Sequence, residues 1–190
     1  MTERTADHEL LDESQRKLLL ARIRDIPDWP QAGVTFKDIT PLLLDHAAFA
    51  IVVSAIAGIG RDEGGVRRID TVVGIEARGF ILAAPVAHVL GAGFVPVRKE
   101  GKLPHEAQSA SYVLEYGQAT IEVHRDAFEP GDRVLIIDDV LATGGTLEAT
   151  VDLVRSAGAD VVAVSVLIEL GFLGGRQRLH DVDLYALLRV

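Results

Sequence analysis

Short, almost wholly apolar runs at 69–74, 94–97, 133–138, 161–168 and 182–187 alternate with longer stretches of helical periodicity at 45–61, 78–90 and 145–157. Uninterrupted Val- and Ile-rich runs are the pattern of strands buried on both faces. Strands alternating with helices imply a mostly parallel sheet covered by helices on both sides. Ahead of this core, Asp12 and Gln15 have the spacing of a capping box. The helix they open carries Leu18, Leu19, Leu20 and Ile23 and is expected to stop near Ile26, before Pro27. The stretch 27–41, punctuated by Pro30, Gly33 and Pro41, reads as irregular chain, and a loop of that length in a compact domain is often functional. Between Lys99 and Pro130 the alternation breaks: a polar stretch at 101–109 precedes two alternating runs, 111–116 and 120–124, with a turn at Gly117-Gln118. The pattern predicts one α/β domain over 12–190, with a mostly parallel five-stranded sheet flanked by helices. The domain includes an inserted flexible loop and β-hairpin and an N-terminal hood segment, and residues 1–11 are expected to be disordered.

Composition agrees with this picture and removes several functions. The 190 residues are 48% hydrophobic and 25% charged, enough apolar material for a single buried core. A formal net charge of -9 argues against a nucleic-acid partner held through its backbone phosphates, though a small phosphorylated ligand needs only a few placed donors. With no cysteine, disulfides, thiolate metal sites and Cys nucleophiles are excluded. No apolar run reaches the roughly 20 residues of a membrane span, and the first nine residues lack the apolar core of a signal peptide. A cytoplasmic protein is expected.

The chemistry is concentrated at 134–146. The apolar run Val134-Leu135-Ile136-Ile137 leads into Asp138 and Asp139, then Val140-Leu141-Ala142, then Thr143-Gly144-Gly145-Thr146 at the start of a helix. Open α/β sheets bind ligands at the carboxyl ends of their strands. The free N–H groups and dipole of a helix N-terminus attract an anion. Gly144 and Gly145 let the backbone approach that anion, and Thr143 and Thr146 add hydroxyls. Two adjacent carboxylates accept hydrogen bonds from a vicinal diol, so diol and anion together describe a sugar 5-phosphate. A lone Thr-Gly-Gly-Thr turn would be an ordinary helix cap; the strand, the Asp pair and the helix around it make the ligand reading the stronger. No Gly-Lys-Ser/Thr follows, so this is not a Walker loop, and Gly58-Ile59-Gly60 follows a helix rather than a strand.

Along its whole length this stretch resembles the phosphoribosyl pyrophosphate motif of the type I phosphoribosyltransferases. The resemblance implies that Asp138 and Asp139 hold the ribose hydroxyls and that Ala142, Thr143, Gly144, Gly145 and Thr146 hold the 5-phosphate. Three further segments are similar to the adenine branch of that family. Gly74-Ile75-Glu76-Ala77-Arg78-Gly79-Phe80 is similar to its pyrophosphate loop, which implies roles for Glu76, Ala77 and Arg78 and a cis peptide at Glu76–Ala77. An arginine at a helix start runs against the dipole unless an anion sits beside it. Arg98-Lys99-Glu100-Gly101-Lys102-Leu103-Pro104 resembles the loop whose cations reach pyrophosphate, here Arg98, Lys99 and Lys102.

Leu114-Glu115-Tyr116-Gly117 resembles the stretch carrying the general acid/base, which implies that role for Glu115. The 30–40 segment resembles the base-recognition loop. There Thr35, Phe36 and Lys37 would read adenine, largely through the backbone near Lys37, with Phe36 on one face of the ring and Val140 on the other. The implied activity converts adenine and phosphoribosyl pyrophosphate to AMP and pyrophosphate, as a homodimer, with Mg2+ carried by the substrate. His124, His46, His88, His105 and His180 stand at no catalytic spacing and read as structural or surface residues. Two alternatives remain at this point: the same fold using another base, and a non-catalytic sensor of the ribosyl pyrophosphate.

Overall fold

The computed structural model describes residues 10–113 and 118–190. The capping box forms: Asp12 Oδ1 accepts from the Gln15 N–H at 2.8 Å, and Gln15 Oε1 accepts from the Asp12 N–H at 3.1 Å. The helix it starts, α1 (Glu13–Leu20), ends earlier than its apolar pattern suggested. The chain turns out of it so that β1 (Arg24–Ile26) can pair antiparallel with β2 (Phe36–Asp38), Ile26 opposite Phe36. Cross-strand hydrogen bonds there replace helical ones, and the stretch 27–41 is irregular only in part. Next come α2 (Thr40–Leu44) and α3 (His46–Ile59), the latter capped by Asp45, whose Oδ1 accepts from the N–H groups of Ala47 and Ala48. The expectation of disorder over 1–11 falls mostly outside the described residues, but Leu11 is buried and Leu10 packs beside it.

The core follows as β3 (Thr71–Ile75), α4 (Arg78–Leu90), β4 (Gly93–Lys99), β5 (Ala107–Val113), β6 (Gln118–His124), β7 (Arg133–Leu141), α5 (Gly145–Ser156), β8 (Asp160–Glu169) and β9 (Leu184–Arg189). Strands β4, β3, β7, β8 and β9 run parallel, the five the alternation implied. The hairpin is not a separate insertion. It joins the sheet antiparallel through Arg98↔Glu122 and Lys99↔Ile121, giving the order β5-β6-β4-β3-β7-β8-β9 and seven strands among the described residues. Its first strand begins at Ala107, inside the polar stretch read as loop, because Ala110 and Tyr112 alternate onto an apolar face.

Successive strand residues go to opposite faces of the sheet. Val72, Leu135, Ile137 and Leu167 pack with α1, α3 and α4; Val73, Ile136, Val164 and Val166 pack with α5. Each fully buried Val, Leu or Ile contributes roughly 1.5–3 kcal/mol relative to exposure. At the amino ends of the strands, the Asp70 carboxylate takes a two-pronged ion pair from Arg133 (Nε at 2.8 Å, Nη2 at 2.8 Å) and accepts the Arg133 backbone N–H. The clamp fixes the register of β3 against β7, and with it the alignment of their opposite, carboxyl ends. There the chain leaves β3 at Glu76, β4 near Lys99 and β7 after Leu141, with Asp138 and Asp139 still inside the strand.

Candidate active site

Helix α5 starts with Gly144 as its cap, at φ +86°, and no side chain caps its first N–H groups. Only glycine adopts this conformation without strain, and the uncapped amides are left for an anion. The loop closes on a second glycine pair that the sequence reading passed over, Gly174-Gly175. A Cβ on Gly144 would stand 2.6 Å from the Gly175 carbonyl oxygen, and a Cβ on Gly175 would overlap the Ala142 carbonyl oxygen. Two backbones therefore lie in direct contact, and a small cavity of about 70 Å³ remains, lined by Asp138, Val140 and residues 141–147. The predicted 5-phosphate residues thus surround one concavity.

Asp138 lines this cavity, and Asp139, the next residue along β7, is only 5% exposed. Burial raises the pKa of Asp138 well above the carboxylate range, reinforced by the neighbouring charge of Asp139. Burial also raises that of Asp139, against the pull of Arg78. Arg78, the first residue of α4, brings Nε to 2.8 Å from Asp139 Oδ2, and its guanidinium lies 4.7 Å from the centre of the Phe36 ring. The angles are poor for hydrogen bonding, so Asp139 Oδ2 and Arg78 Nη1 are buried with no hydrogen-bond partner among the described residues. Buried polar atoms in native proteins are normally satisfied, so these two, on neighbouring side chains, are candidates for contact with a polar ligand. Gly79 permits the approach, since a Cβ there would meet the Ile137 carbonyl oxygen at 2.9 Å and Asp138 Oδ1 at 3.0 Å. The Glu76–Ala77 peptide is cis, where the resemblance put it, and Trp29–Pro30 is cis as well.

Two of the predicted pyrophosphate cations, Arg98 and Lys102, gather on an internal anion, which Lys99 meets only through its backbone N–H. Glu76 Oε1 lies 2.6 Å from Lys102 Nζ, and its Oε2 accepts the Lys99 backbone N–H at 3.0 Å with Arg98 Nε 3.4 Å away. Burial acts to raise the Glu76 pKa, but Lys102 and the Lys99 amide outweigh it and the net shift is downward. Arg98 Nη1 also donates to the Lys102 carbonyl, and Glu122 Oε2 accepts the Gly101 N–H. The loop expected to be mobile is thus tied to the end of β3.

At the hood, Phe36 meets Trp29 edge-on, ring centres 4.4 Å apart. Trp29, 51% exposed, was not singled out from sequence, although the chain's one tryptophan beside a proline in a glycine-bearing loop was a usable signal. Phe36 lies between Trp29 and Arg78 rather than in the core. The Lys37 side chain turns away to Asp25, Nζ to Oδ1 2.8 Å, and Thr35 is exposed. Val140 is half-buried and lines the cavity. Glu115 lies outside the described residues. Tyr112 of β5 reaches the first turn of α5, where Thr146 Oγ1 and Tyr112 Oη are 3.0 Å apart. His124, the last residue of β6, and His105, just ahead of β5, pack edge to face with ring centres 6.1 Å apart.

A parallel α/β sheet with an anion cradle, paired carboxylates and clustered cations at its carboxyl edge defines a domain that binds phosphorylated sugars. Residues 42–185 match the family model described as the phosphoribosyl transferase domain. An adenine phosphoribosyltransferase of Nocardioides is 63% identical over 171 residues, covering 90% of this chain and 92% of its own, and one of Acidothermus cellulolyticus is 61% identical, covering 92% and 96%. Among solved structures, adenine phosphoribosyltransferase from Rhodothermus marinus superposes with a TM-score of 0.88 at 49% identity, covering 94% of this chain and all of that one. The enzyme from Saccharomyces cerevisiae, solved with an imino-altritol bisphosphate and adenine, superposes with a TM-score of 0.87 at 35% identity over 93% and 99%. The chain belongs to the adenine phosphoribosyltransferase family.

Proposed function

We propose that this chain moves the 5-phosphoribosyl group from phosphoribosyl pyrophosphate to adenine, giving AMP and pyrophosphate. The observation that carries this is the convergence of Arg78, Asp139 and Phe36 beside the phosphate cradle. One guanidinium there touches the residues assigned to ribose and to the base. The relatives support the choice of ligands: the yeast structure was solved with adenine, and a Trypanosoma brucei enzyme, 26% identical, with AMP, pyrophosphate and ribose-5-phosphate.

In this reading the amides and hydroxyls of 142–146 hold the 5-phosphate, and Asp138 and Asp139 accept from the ribose hydroxyls. The backbone at Glu76–Ala77 and the cations Arg78, Arg98, Lys99 and Lys102 hold pyrophosphate. Glu76 gives up Lys102 and Arg98 to it, one anion replacing another. Adenine lies by Phe36 with Val140 on its other face, its edge read by the backbone of Thr35 and Lys37; the Lys37 side chain, committed to Asp25, is free of that task. As the bond from C1 to the pyrophosphate oxygen breaks, pyrophosphate leaves with the electron pair and adenine N9 bonds to C1. Adenine gives up one proton, which Glu115 takes as general base. Desolvation strengthens each electrostatic contact.

Mg2+ enters on the substrate in this scheme. Among the described residues no group of three or more His, Asp or Glu could hold a metal ion, while Asp138 and Asp139 offer oxygens to ribose hydroxyls or to water on a hydrated cation. When bound, Mg2+ neutralises charge on the departing pyrophosphate. We place the enzyme in the cytoplasm as a homodimer; among the described residues no helix is long and apolar enough to cross a membrane.

The deciding experiment is formation of AMP from adenine and phosphoribosyl pyrophosphate by the purified protein, with hypoxanthine, xanthine and orotate as comparison bases. Turnover with another base but not adenine overturns the reading. Glu115→Ala is expected to cut kcat by about 10²–10⁴-fold while phosphoribosyl pyrophosphate binding is unchanged.

A further inference from the structure

Tyr112 lies on β5, opposite Ala119 of β6, with its ring against the apolar face that also takes Ala110. Its hydroxyl reaches out of the hairpin to Thr146, in the first turn of α5, at an oxygen separation of 3.0 Å. The Thr146 carbonyl oxygen in turn accepts from Thr150 Oγ1 at 2.7 Å, which is fully buried. Thr146 is therefore fixed from two sides, by its own helix and by a strand far from it in sequence. We infer that Tyr112 is a positioning residue for the 5-phosphate, a hydroxyl that aims the Thr146 proton at the anion and couples the hairpin to the cradle. The inference rests on the assignment of 142–146 to the 5-phosphate.

A threonine hydroxyl has one proton and two lone pairs. If that proton goes to Tyr112 Oη, Thr146 has nothing to donate to a phosphate, which is purely an acceptor. Hydroxyl protons rotate, and the tyrosine hydroxyl has a proton of its own. With a phosphate in the cradle the pair reverses: Tyr112 donates to Thr146 Oγ1, and Thr146 donates to the phosphate. Each bond in such a chain polarises the next. The empty site thus keeps its donor occupied, and the filled one gains a hydroxyl already aimed, without moving a heavy atom.

The test is a double-mutant cycle on AMP binding by calorimetry, with steady-state kinetics beside it. Tyr112→Phe removes one oxygen and keeps the ring packing. It is expected to weaken AMP binding about 3–10-fold, the range of one hydrogen bond, and to raise the KM for phosphoribosyl pyrophosphate by a similar factor with kcat within twofold. Pyrophosphate affinity is expected to be unchanged. In a Thr146→Val background the Tyr112→Phe effect should vanish, and in Thr146→Ser, which keeps the hydroxyl, it should persist; the serine variant also serves if the valine variant does not fold. Equal losses in the presence and absence of the Thr146 hydroxyl overturn the coupling, as does unaltered AMP binding in Tyr112→Phe. If Thr146→Val itself leaves AMP affinity unchanged, it is the assignment of the cradle that fails.

Discussion

Arg78 Nε sits 2.8 Å from Asp139 Oδ2 while its guanidinium faces the Phe36 ring at 4.7 Å. One side chain thus spans the end of β7 and the hood, the two walls between which a nucleotide would lie. Its aliphatic stem and planar head suit that place: the plane packs on an aromatic face while the edge serves an oxygen.

Arg78→Ala is expected to lower kcat/KM by about 10²–10³-fold, the loss seen when a preorganised charged donor is removed. Arg78→Lys keeps the charge but not the flat fork, and should recover only part of this. Steady-state kinetics against both substrates checks it, with an unfolding curve to show that the fold is retained. Wild-type kinetics in Arg78→Ala would remove Arg78 from the site.

The Asp138–Asp139 pair gives a pH dependence with a definite sign. Burial raises both pKa values in the free protein, whereas in the proposed function ribose hydroxyls donate to the ionised carboxylates. Ligand binding therefore favours loss of a proton, and affinity for AMP should rise as pH increases through the raised range of the pair. Proton release, measured by calorimetry in buffers of different ionisation enthalpy, should disappear in Asp138→Asn/Asp139→Asn. For folding the sign is opposite: a raised carboxylate contributes stability below its unfolded pKa and loses it as pH climbs through the folded value.

Much of this is legible in the sequence. Helix α4 and the strand preceding the phosphate loop follow from apolar period alone, and the Asp138 to Thr146 cradle carries its chemistry in its own letters. What was not legible depends on contacts between distant segments. The early end of α1 is imposed by Phe36 pairing with Ile26, and the hairpin's place in the sheet by Glu122 opposite Arg98. Glu76 gathering Lys102 needs β3 and β4 side by side, and Tyr112 on Thr146 needs the hairpin folded over α5. No local window contains both members of these pairs. Gly174-Gly175 is intermediate: two adjacent glycines were visible, but their reason, a backbone lying against Ala142 and Gly144, was not.

Gly175 backs the phosphate-side loop with bare backbone. A Cβ there would overlap the Ala142 carbonyl oxygen and lie 2.9 Å from the Gly144 nitrogen, both rigid backbone atoms in the cradle. Gly175→Ala should cost about 1–3 kcal/mol of stability through overpacking and also weaken AMP binding, because the loop must shift to admit the methyl. Gly58→Ala, where no atom lies within 4 Å of the added Cβ, is the control. Unchanged AMP affinity in a folded Gly175→Ala protein would show the loop indifferent to its backing.

Far from the site, the Asp70–Arg133 clamp tests the alignment of β3 on β7. The Arg133 guanidinium and backbone N–H hold the Asp70 carboxyl well below the ordinary carboxylate range. A depressed carboxylate contributes stability at pH above its unfolded value and loses it as pH falls through the folded one. The pair is partly exposed, so the effect is modest. Asp70→Asn is expected to lower Tm by about 2 °C near neutrality, with the difference shrinking below about pH 4. A constant gap across that range would assign the loss to packing instead of charge.

Glu76 and Lys102 pose the sharpest question about pyrophosphate. With Nζ 2.6 Å from Oε1, and Arg98 and the Lys99 amide on the other oxygen, Glu76 occupies the cations that a pyrophosphate would need. In the proposed function pyrophosphate takes Lys102 and Arg98 from Glu76, and the strength of those contacts is subtracted from its affinity. Glu76→Gln is nearly isosteric, still accepts the Lys99 N–H, and lacks the charge. It should bind pyrophosphate several-fold more tightly, by the 0.5–1.5 kcal/mol of a partly exposed contact released, and product release should slow accordingly. Direct titration with pyrophosphate, and the kcat of forward turnover where that release limits the rate, read the two effects separately. Weaker pyrophosphate binding in Glu76→Gln would mean that Glu76 holds the loop in its working shape instead of competing with the ligand.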